Sequence, residues 1–139
     1  RALEVCIASG KPYSSFRSGE AKQRGFNPII IGLQWEREAL YARINQRVDL
    51  KNENGLIEEA RTFHPHKTEQ ALQTVGYEEL FAHFEGEFDL AEAITLIKRN
   101  SRRYAKRQMT WLKKMGGITW VTPPQFNEVV DIITQQLNK

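Results

Sequence analysis

Residues 89–117 read DLAEAITLIKRNSRRYAKRQMTWLKKMGG, and this stretch carries the clearest structural signal in the chain. Apolar and aromatic side chains recur in it at steps of three and four residues, which is the spacing of one helix face. Asp89 precedes the repeat in the position of a helix cap, with Glu92 three residues later, and Gly116-Gly117 ends it. The spacing predicts one long helix with a packed face through Leu90, Ile94, Ile97, Ser101, Tyr104, Gln108, Trp111 and Met115.

Glycine and proline divide the rest of the chain into shorter elements. A helix over residues 1–9 stops at Gly10, and the β-branched run at 29–33 has the composition of a buried strand. The pattern as a whole predicts a predominantly helical α/β fold. Further helices are predicted at 36–54, 56–63, 76–84 and 125–137, with a second strand at 118–121.

Charge is distributed unevenly along the 139 residues. No Asp or Glu occurs between Ala93 and Asn127, where there are eight Lys and Arg, while the remainder holds 12 Lys and Arg against 17 Asp and Glu. This asymmetry indicates a polyanionic partner, and nucleic acid is the favoured one; the alternative is a solvated helix face. The eight cations are Lys98, Arg99, Arg102, Arg103, Lys106, Arg107, Lys113 and Lys114.

One side of the predicted long helix combines cations with a hydroxyl group. These side chains suit phosphate oxygens, while Gln108 has the groups to bond a base edge. Trp111 falls on the apolar face, so we expect it to pack in the core rather than stack on a base. The polar side comprises Arg99, Arg102, Arg103, Lys106, Thr110 and Lys113.

Two further positions are candidate anion contacts. Arg47 follows Leu40 and Ile44 at helical spacing, which predicts a core-facing arginine that needs an anion, either a structural carboxylate or a bound phosphate or pyrophosphate. The run Thr74-Val75-Gly76-Tyr77 opens a helix, where free amide groups can bind an anion. No arrangement of side chains suggests a catalytic nucleophile or a metal site.

Other features limit the class of protein. Cys6 is a single cysteine, so an internal disulfide is excluded and a reducing cytoplasm is expected. There is no apolar run long enough for a membrane span and no signal-peptide pattern. The chain opens on Arg1 in the middle of a helical pattern, without Met, and we expect a piece of a longer protein.

Several segments, in order, resemble the tRNA dimethylallyltransferases, also called tRNA isopentenylpyrophosphate transferases. The match covers nearly the whole chain, and its last segment is the most specific. The segments are 1–5 (RALEV), 9–12 (SGKP), 31–33 (IGL), 40–49 (LYARINQRVD), 55–60 (GLIEEA), 75–80 (VGYEEL) and 97–112 (IKRNSRRYAKRQMTWL).

The resemblance implies the C-terminal part of a P-loop-NTPase-like core, with residues 1–27 ending a helical insertion and 28–139 belonging to the core. The implied reaction transfers a dimethylallyl group from dimethylallyl pyrophosphate, with Mg²⁺, to N6 of the adenosine 3′ of the tRNA anticodon. It implies pyrophosphate binding by Arg47. It implies binding of the tRNA anticodon stem-loop by Arg1, Gln73, Thr74, Val75, Gly76, Tyr77, Glu78, Lys106, Arg107, Gln108, Thr110 and Lys113.

The sequence departs from the family pattern in two places. Glu78 stands where the family usually has a basic residue, and Lys51-Asn52-Glu53 replaces a turn that typically contains Met, which predicts looser packing there.

The family's phosphate loop and catalytic Asp have no counterpart here, so we expect no catalytic residue in this chain and no activity from it alone. The expected parent is a monomeric cytoplasmic enzyme without membrane contact. The alternatives are an adenylate isopentenyltransferase, which forms cytokinins, and a non-catalytic RNA-binding module.

Overall fold

A computed structural model describes residues 2–17, 25–122 and 126–137 of the chain. Six helices and two strands lie in these residues, joined by short 3₁₀ turns, and the helices hold most of the chain. The predominantly helical α/β fold expected from the sequence is therefore confirmed. The elements are α1 (Ala2–Ser9), β1 (Ile30–Leu33), α2 (Arg37–Glu53), α3 (Leu56–Phe63), α4 (Tyr77–Phe84), α5 (Leu90–Lys114), β2 (Ile118–Val121) and α6 (Phe126–Leu137).

The hydrophobic core lies among α2, α3, α4 and α5. Leu80 and Ala93 are fully buried where α4 packs on α5, and Ala60 is fully buried on α3. Val48 brings α2 into the same cluster, and Ile97 is its most C-terminal buried member on α5. The core therefore fixes the N-terminal half of α5 and leaves its C-terminal half to project along α2.

The ends of α5 follow the sequence signals. The Asp89 carboxylate accepts a hydrogen bond from the Glu92 amide at 2.8 Å, which satisfies one of the free N–H groups of the first turn. At the other end the helix stops at Lys114, and Gly117 adopts a positive φ of 79° before β2 begins. The predicted length and cap of this helix are confirmed.

The two strands pair in parallel, with Gly32 opposite Trp120. A Cβ atom built on Gly32 would lie 2.7 Å from the Trp120 ring, so the indole packs directly on the glycine backbone. Only glycine allows this approach. Parallel pairing also requires a crossover, which here consists of α2 to α5.

The C-terminal end of α2 contains a buried side-chain amide without a hydrogen-bond partner among the described residues. Both side-chain amide atoms of Asn52 are buried, and among the described residues neither has a hydrogen-bond partner. An unpaired buried amide costs about 1 to 3 kcal/mol. The looser packing expected for Lys51-Asn52-Glu53 stays a prediction.

Helices α1 and α6 contribute little to the core within the described residues. Leu3 and Ile7 on α1 are 77% and 82% exposed, and Phe126 on α6 is 81% exposed. The division into 1–27 and 28–139 stays a prediction. None of the helices in the described parts has both the length and the apolarity of a membrane span.

Candidate nucleic-acid interface

The C-terminal half of α5 and the turn before it present a row of solvent-exposed cations. We call these residues the cationic face. None of them forms an ion pair with a carboxylate of the described residues. Their charge is therefore uncompensated inside the described structure and is available to a polyanion. The cationic face comprises Arg99, Arg103, Lys106, Arg107, Lys113 and Lys114.

Part of this face forms an open depression on the helix surface. Aromatic side chains flank the cations there: Trp111 lines the depression, and Tyr104 lies beside it with the Arg107 guanidinium 5.7 Å from its ring centroid. Cations combined with exposed aromatic rings are typical of surfaces that bind single-stranded nucleic acid. The depression is lined by Arg103, Lys106, Arg107, Thr110, Trp111 and Lys114.

The prediction that Trp111 packs in the core is wrong. Trp111 is 62% exposed and Tyr104 is 58% exposed, and Gln108 and Met115 also lie on the solvent side. Beyond Arg102 the half-buried positions of α5 are Ala105, Met109 and Leu112, at steps of four and three residues. The packed face of this part of α5 therefore differs from the predicted one. Ala105 and Met109 line a depression together with Leu40 and Tyr41 of α2.

Two of the eight cations are engaged inside the fold. Lys98 forms an ion pair with Asp49 at 2.6 Å, and Arg102 donates a hydrogen bond to the Asn45 side-chain oxygen at 2.6 Å. Both partners are on α2, so these cations join the two helices. The prediction that Arg102 belongs to the exposed polar side is wrong, and the basic surface is correspondingly narrower than the sequence suggested.

The polar groups predicted to contact RNA differ in their availability. The Thr110 hydroxyl donates to the Lys106 carbonyl at 2.9 Å, so it is free only as an acceptor. Gln108 is exposed, and no hydrogen bond within the described residues uses its amide. Its donor and acceptor remain available for a base edge.

The Gly76 segment, residues 73–78, is fastened to the middle of α5. Glu79, 6% exposed, accepts a hydrogen bond from the Gly76 amide at 2.7 Å and another from the Asn100 side chain at 2.7 Å. Asn100, Tyr104, Arg107 and Trp111 follow one another at three- and four-residue steps and so share a side of α5. The segment therefore lies at the N-terminal end of the row of exposed aromatic and basic side chains.

The amide groups at the start of α4, which the sequence predicted to be free, are bonded within the described residues. The Gly76 amide donates to Glu79, while the amides of Tyr77 and Glu78 both donate to the Thr74 carbonyl at 3.2 Å. Gly76 has a φ of 108°, which explains the glycine. These three amides are therefore used by the turn itself.

Tyr77 serves mainly to pack α4 on α3. Its hydroxyl donates to the Glu59 carboxylate at 2.5 Å, and its ring stacks on Phe81 with centroids 5.8 Å apart. The hydrogen bond to Glu59 raises the pKa of Tyr77, and burial adds to the shift. The ring is half-buried, so a contact with RNA would have to use its outer edge.

The prediction that Arg47 faces the core is wrong. Val48 is buried and Arg47 beside it is exposed, because α2 packs through Ile44 and Val48, a step of four rather than three. No carboxylate in the described parts of the chain pairs with Arg47. Within the described residues the guanidinium therefore has no structural carboxylate as its partner. Arg1 lies outside the described residues.

Several contributors to this surface were missed from the sequence. Glu79 stands three residues after Gly76, which is the spacing of a helix-capping carboxylate, so that signal was present. Arg37, Trp35 and Tyr41 line a second depression between α2 and α5. No spacing in the sequence reveals this depression, since it depends on how the two helices pack.

Fold and surface together define a mostly helical α/β protein with an exposed, basic helix flanked by aromatic side chains. The family model described as IPP transferase matches residues 1–115. The chain belongs to the IPP transferase family. The resemblance carried by the sequence motifs is confirmed.

Curated relatives match almost all of this chain with about half of their own length. A tRNA dimethylallyltransferase of Flavobacterium johnsoniae is 49% identical over 138 residues, which are 99% of this chain and 45% of the relative. Another, of Christiangramia forsetii, is 51% identical over 142 residues, or 99% of this chain and 46% of the relative. The matched region is thus one part of a longer polypeptide in these relatives.

Two solved structures also match almost all of this chain with about half of their own length. A tRNA delta(2)-isopentenylpyrophosphate transferase of Staphylococcus epidermidis has a TM-score of 0.75 and 32% identity, and the match covers 99% of this chain and 46% of that one. A full-length tRNA isopentenylpyrophosphate transferase of Bacillus halodurans has a TM-score of 0.73 and 32% identity, covering 99% and 50%. The fold of the chain is therefore that of this part of the transferases.

Proposed function

We propose that this chain is the tRNA-holding part of an enzyme that transfers a dimethylallyl group from dimethylallyl pyrophosphate to N6 of the adenosine 3′ of the anticodon. Family membership and the names of the relatives support the reaction. The observation that carries the role of this chain is the cationic face, with Tyr104 and Trp111 exposed beside it. We place the complete enzyme in the cytoplasm as a monomer.

The cationic face supplies contacts to RNA phosphates, and Gln108 supplies a contact to a base. Arg107 is held over Tyr104, which limits its conformations before RNA arrives and lowers the entropy lost on binding. The contact with the anticodon stem-loop extends to Arg1 and to the Gly76 segment, which consists of Gln73, Thr74, Val75, Gly76, Tyr77 and Glu78. Because Glu79 fixes this segment to α5, the two contact regions are presented as one rigid unit.

Arg47 is proposed to hold the pyrophosphate of the prenyl donor. Its guanidinium is exposed and unpaired in the described structure, and a bidentate arginine suits two phosphate oxygens. Positive charge there stabilises the negative charge that develops on the departing pyrophosphate. The described residues contain no group of three His, Cys, Asp or Glu side chains able to hold a metal ion, so no step of the reaction is assigned to Mg²⁺ in this chain.

The other two candidate functions predict different substrates. An adenylate isopentenyltransferase would accept free adenylate, and a plain RNA-binding module would transfer no prenyl group. The names of the relatives and the cationic face favour a macromolecular substrate. Supplying the complete enzyme with either tRNA or adenylate, together with labelled dimethylallyl pyrophosphate, separates the three.

The salt dependence of tRNA binding tests the role of the cationic face. Arg107→Ala and Lys113→Ala in the complete enzyme should each reduce the slope of log affinity against log salt by about 0.7 to 0.9, because each phosphate contact releases condensed cations. Gln108→Ala should leave the slope unchanged and reduce the preference for the correct anticodon loop. Titrations at several salt concentrations measure both quantities.

Lys51→Ala provides a matched control for lost charge. Lys51 is an exposed cation near the C-terminal end of α2 and lies outside the cationic face. Its removal should leave the slope unchanged. If Arg107→Ala and Lys113→Ala behaved like this control, the cationic face would be a solvated helix surface and the proposed role of the chain would be wrong.

A further inference from the structure

A groove separates the start of α2 from the C-terminal half of α5. Its floor is apolar, formed by Leu40 and Tyr41 of α2 and by Met109 of α5. Its walls carry Arg37 on one side and Lys106 and Lys113 on the other. None of the residues that line this groove is acidic. The groove is thus an anion-attracting feature built from two helices, whereas the cationic face belongs to one.

The three cations of the groove are not engaged in ion pairs within the described residues. Two of them, Lys106 and Lys113, are seven residues apart on α5, which places them two helical turns or about 10 Å apart on one side. The Arg37 guanidinium lies 5.4 Å from the centroid of the Tyr41 ring, and both side chains line the groove. Cations on opposing walls can grip one phosphate from two sides.

Trp35 also lines the groove and gives it an aromatic wall. The Arg43 guanidinium lies 4.6 Å from the centroid of its ring, and the side chain is half-buried. A ring held in this way loses little entropy when a ribose or base packs against it. A phosphate grip beside an aromatic wall matches the two parts of a nucleotide.

The groove adjoins the depression on the cationic face. Lys106 and Thr110 line both, so they form the ridge between the two. A polyanion that occupies the depression and crosses this ridge enters the groove, whereas an isolated small anion gains nothing from the second depression. The arrangement therefore favours an RNA strand over a free phosphate.

We propose that this groove is a nucleotide subsite for the bound RNA. Arg37, Lys106 and Lys113 hold a backbone phosphate, and Trp35 packs against the adjoining ribose or base. The subsite extends the RNA-binding surface from α5 to the start of α2. It rests on the proposed function, because it assumes that the strand on the cationic face is RNA.

Arg37→Gln in the complete enzyme tests the subsite. Loss of one phosphate contact should flatten the salt slope for an anticodon stem-loop RNA by about 0.7 to 0.9 and weaken binding about 5- to 8-fold at 0.1 M salt. Arg37→Lys should recover most of the slope, since it restores the charge. Lys51→Ala, at the other end of α2 and about 20 Å away along the helix, should change neither quantity. Thermal unfolding of each variant verifies that the fold is retained.

The other outcomes are separable. If Arg37→Gln left the slope unchanged while Arg107→Ala reduced it, RNA would bind to α5 alone and the groove would not be a subsite. If neither substitution changed the slope, the proposed function of the cationic face would fail as well. If Arg37→Gln preserved RNA affinity but raised KM for dimethylallyl pyrophosphate several-fold, the groove would hold the pyrophosphate of the donor, and the RNA subsite would be overturned.

Discussion

The two halves of α5 have the same helical geometry and opposite surroundings. In residues 90–102, Ala93 and Ile97 are buried, and Lys98 and Arg102 are bonded to α2. In residues 103–114, the cations are unpaired and Trp111 is exposed. The first half is packed and bonded to the rest of the fold, whereas the second half is exposed to solvent. A basic helix can therefore combine both roles, and the number of its cations alone does not indicate how many are free to bind.

The largest expected difference between the halves is in stability. Ile97→Ala should lower the free energy of unfolding by about 2 to 5 kcal/mol, because it leaves a cavity where α5 meets the core. Trp111→Ala removes a larger side chain, yet should change the free energy of unfolding by no more than about 0.5 kcal/mol, since the ring is exposed. Urea unfolding measures both. A large loss from Trp111→Ala would show that the second half is also held by packing.

The second effect concerns Arg47 on α2, whose removal should change the catalytic rate and leave stability nearly unchanged. Arg47→Ala in the complete enzyme should lower kcat about 30-fold, the equivalent of about 2 kcal/mol of transition-state stabilisation by a charge-assisted contact. Because Arg47 is exposed, the unfolding free energy should change by less than about 0.5 kcal/mol. Lys51→Ala, one helical turn further on, is the matched control and should leave kcat unaltered. Steady-state prenyl transfer at saturating tRNA is the measurement; an unaltered kcat for Arg47→Ala would exclude a pyrophosphate contact.

The last effect concerns Glu79, which joins the Gly76 segment to Asn100 in the middle of α5. Glu79→Ala should lower the free energy of unfolding by about 1 to 3 kcal/mol, because it leaves the Gly76 amide and the Asn100 side chain without their acceptor. Hydrogen exchange at the Gly76 amide should accelerate more than exchange at Leu80. Glu78→Ala, which removes the exposed neighbouring carboxylate, should do neither. Equal exchange in the two variants would show that Glu79 does not fasten the Gly76 segment to α5.

The sequence predicted the elements well and their faces less well. The bounds of α3 and β2, the Asp89 cap and the long α5 all followed from local signals that act within a few residues. The faces of α2 and α5 did not, because helical spacing permits a step of three or four at each turn. After Ile44, a step of three places Arg47 at the buried position and a step of four places Val48 there. Only the packing of neighbouring helices decides between the two.

The candidate site divides in the same way. The exposed cations of α5 were predictable because the absence of acidic residues over a long stretch is a property of composition. The engagement of Arg102 by Asn45 and the groove at Arg37 depend on residues far apart in the chain that meet only in the folded protein. Local patterns carry no information about such meetings.

The close approach of Gly32 and Trp120 has a consequence for how this protein can change over evolutionary time. Any side chain at position 32 would overlap both the indole of Trp120 and the side chain of Ile118, so position 32 can change only together with both of these residues. A mutation to alanine at 32 becomes acceptable after smaller residues have replaced both, and the reverse order of events is unfavourable. Sites separated by four helices in the chain thus behave as a single unit of inheritance, and the order in which they are altered decides whether the intermediate folds.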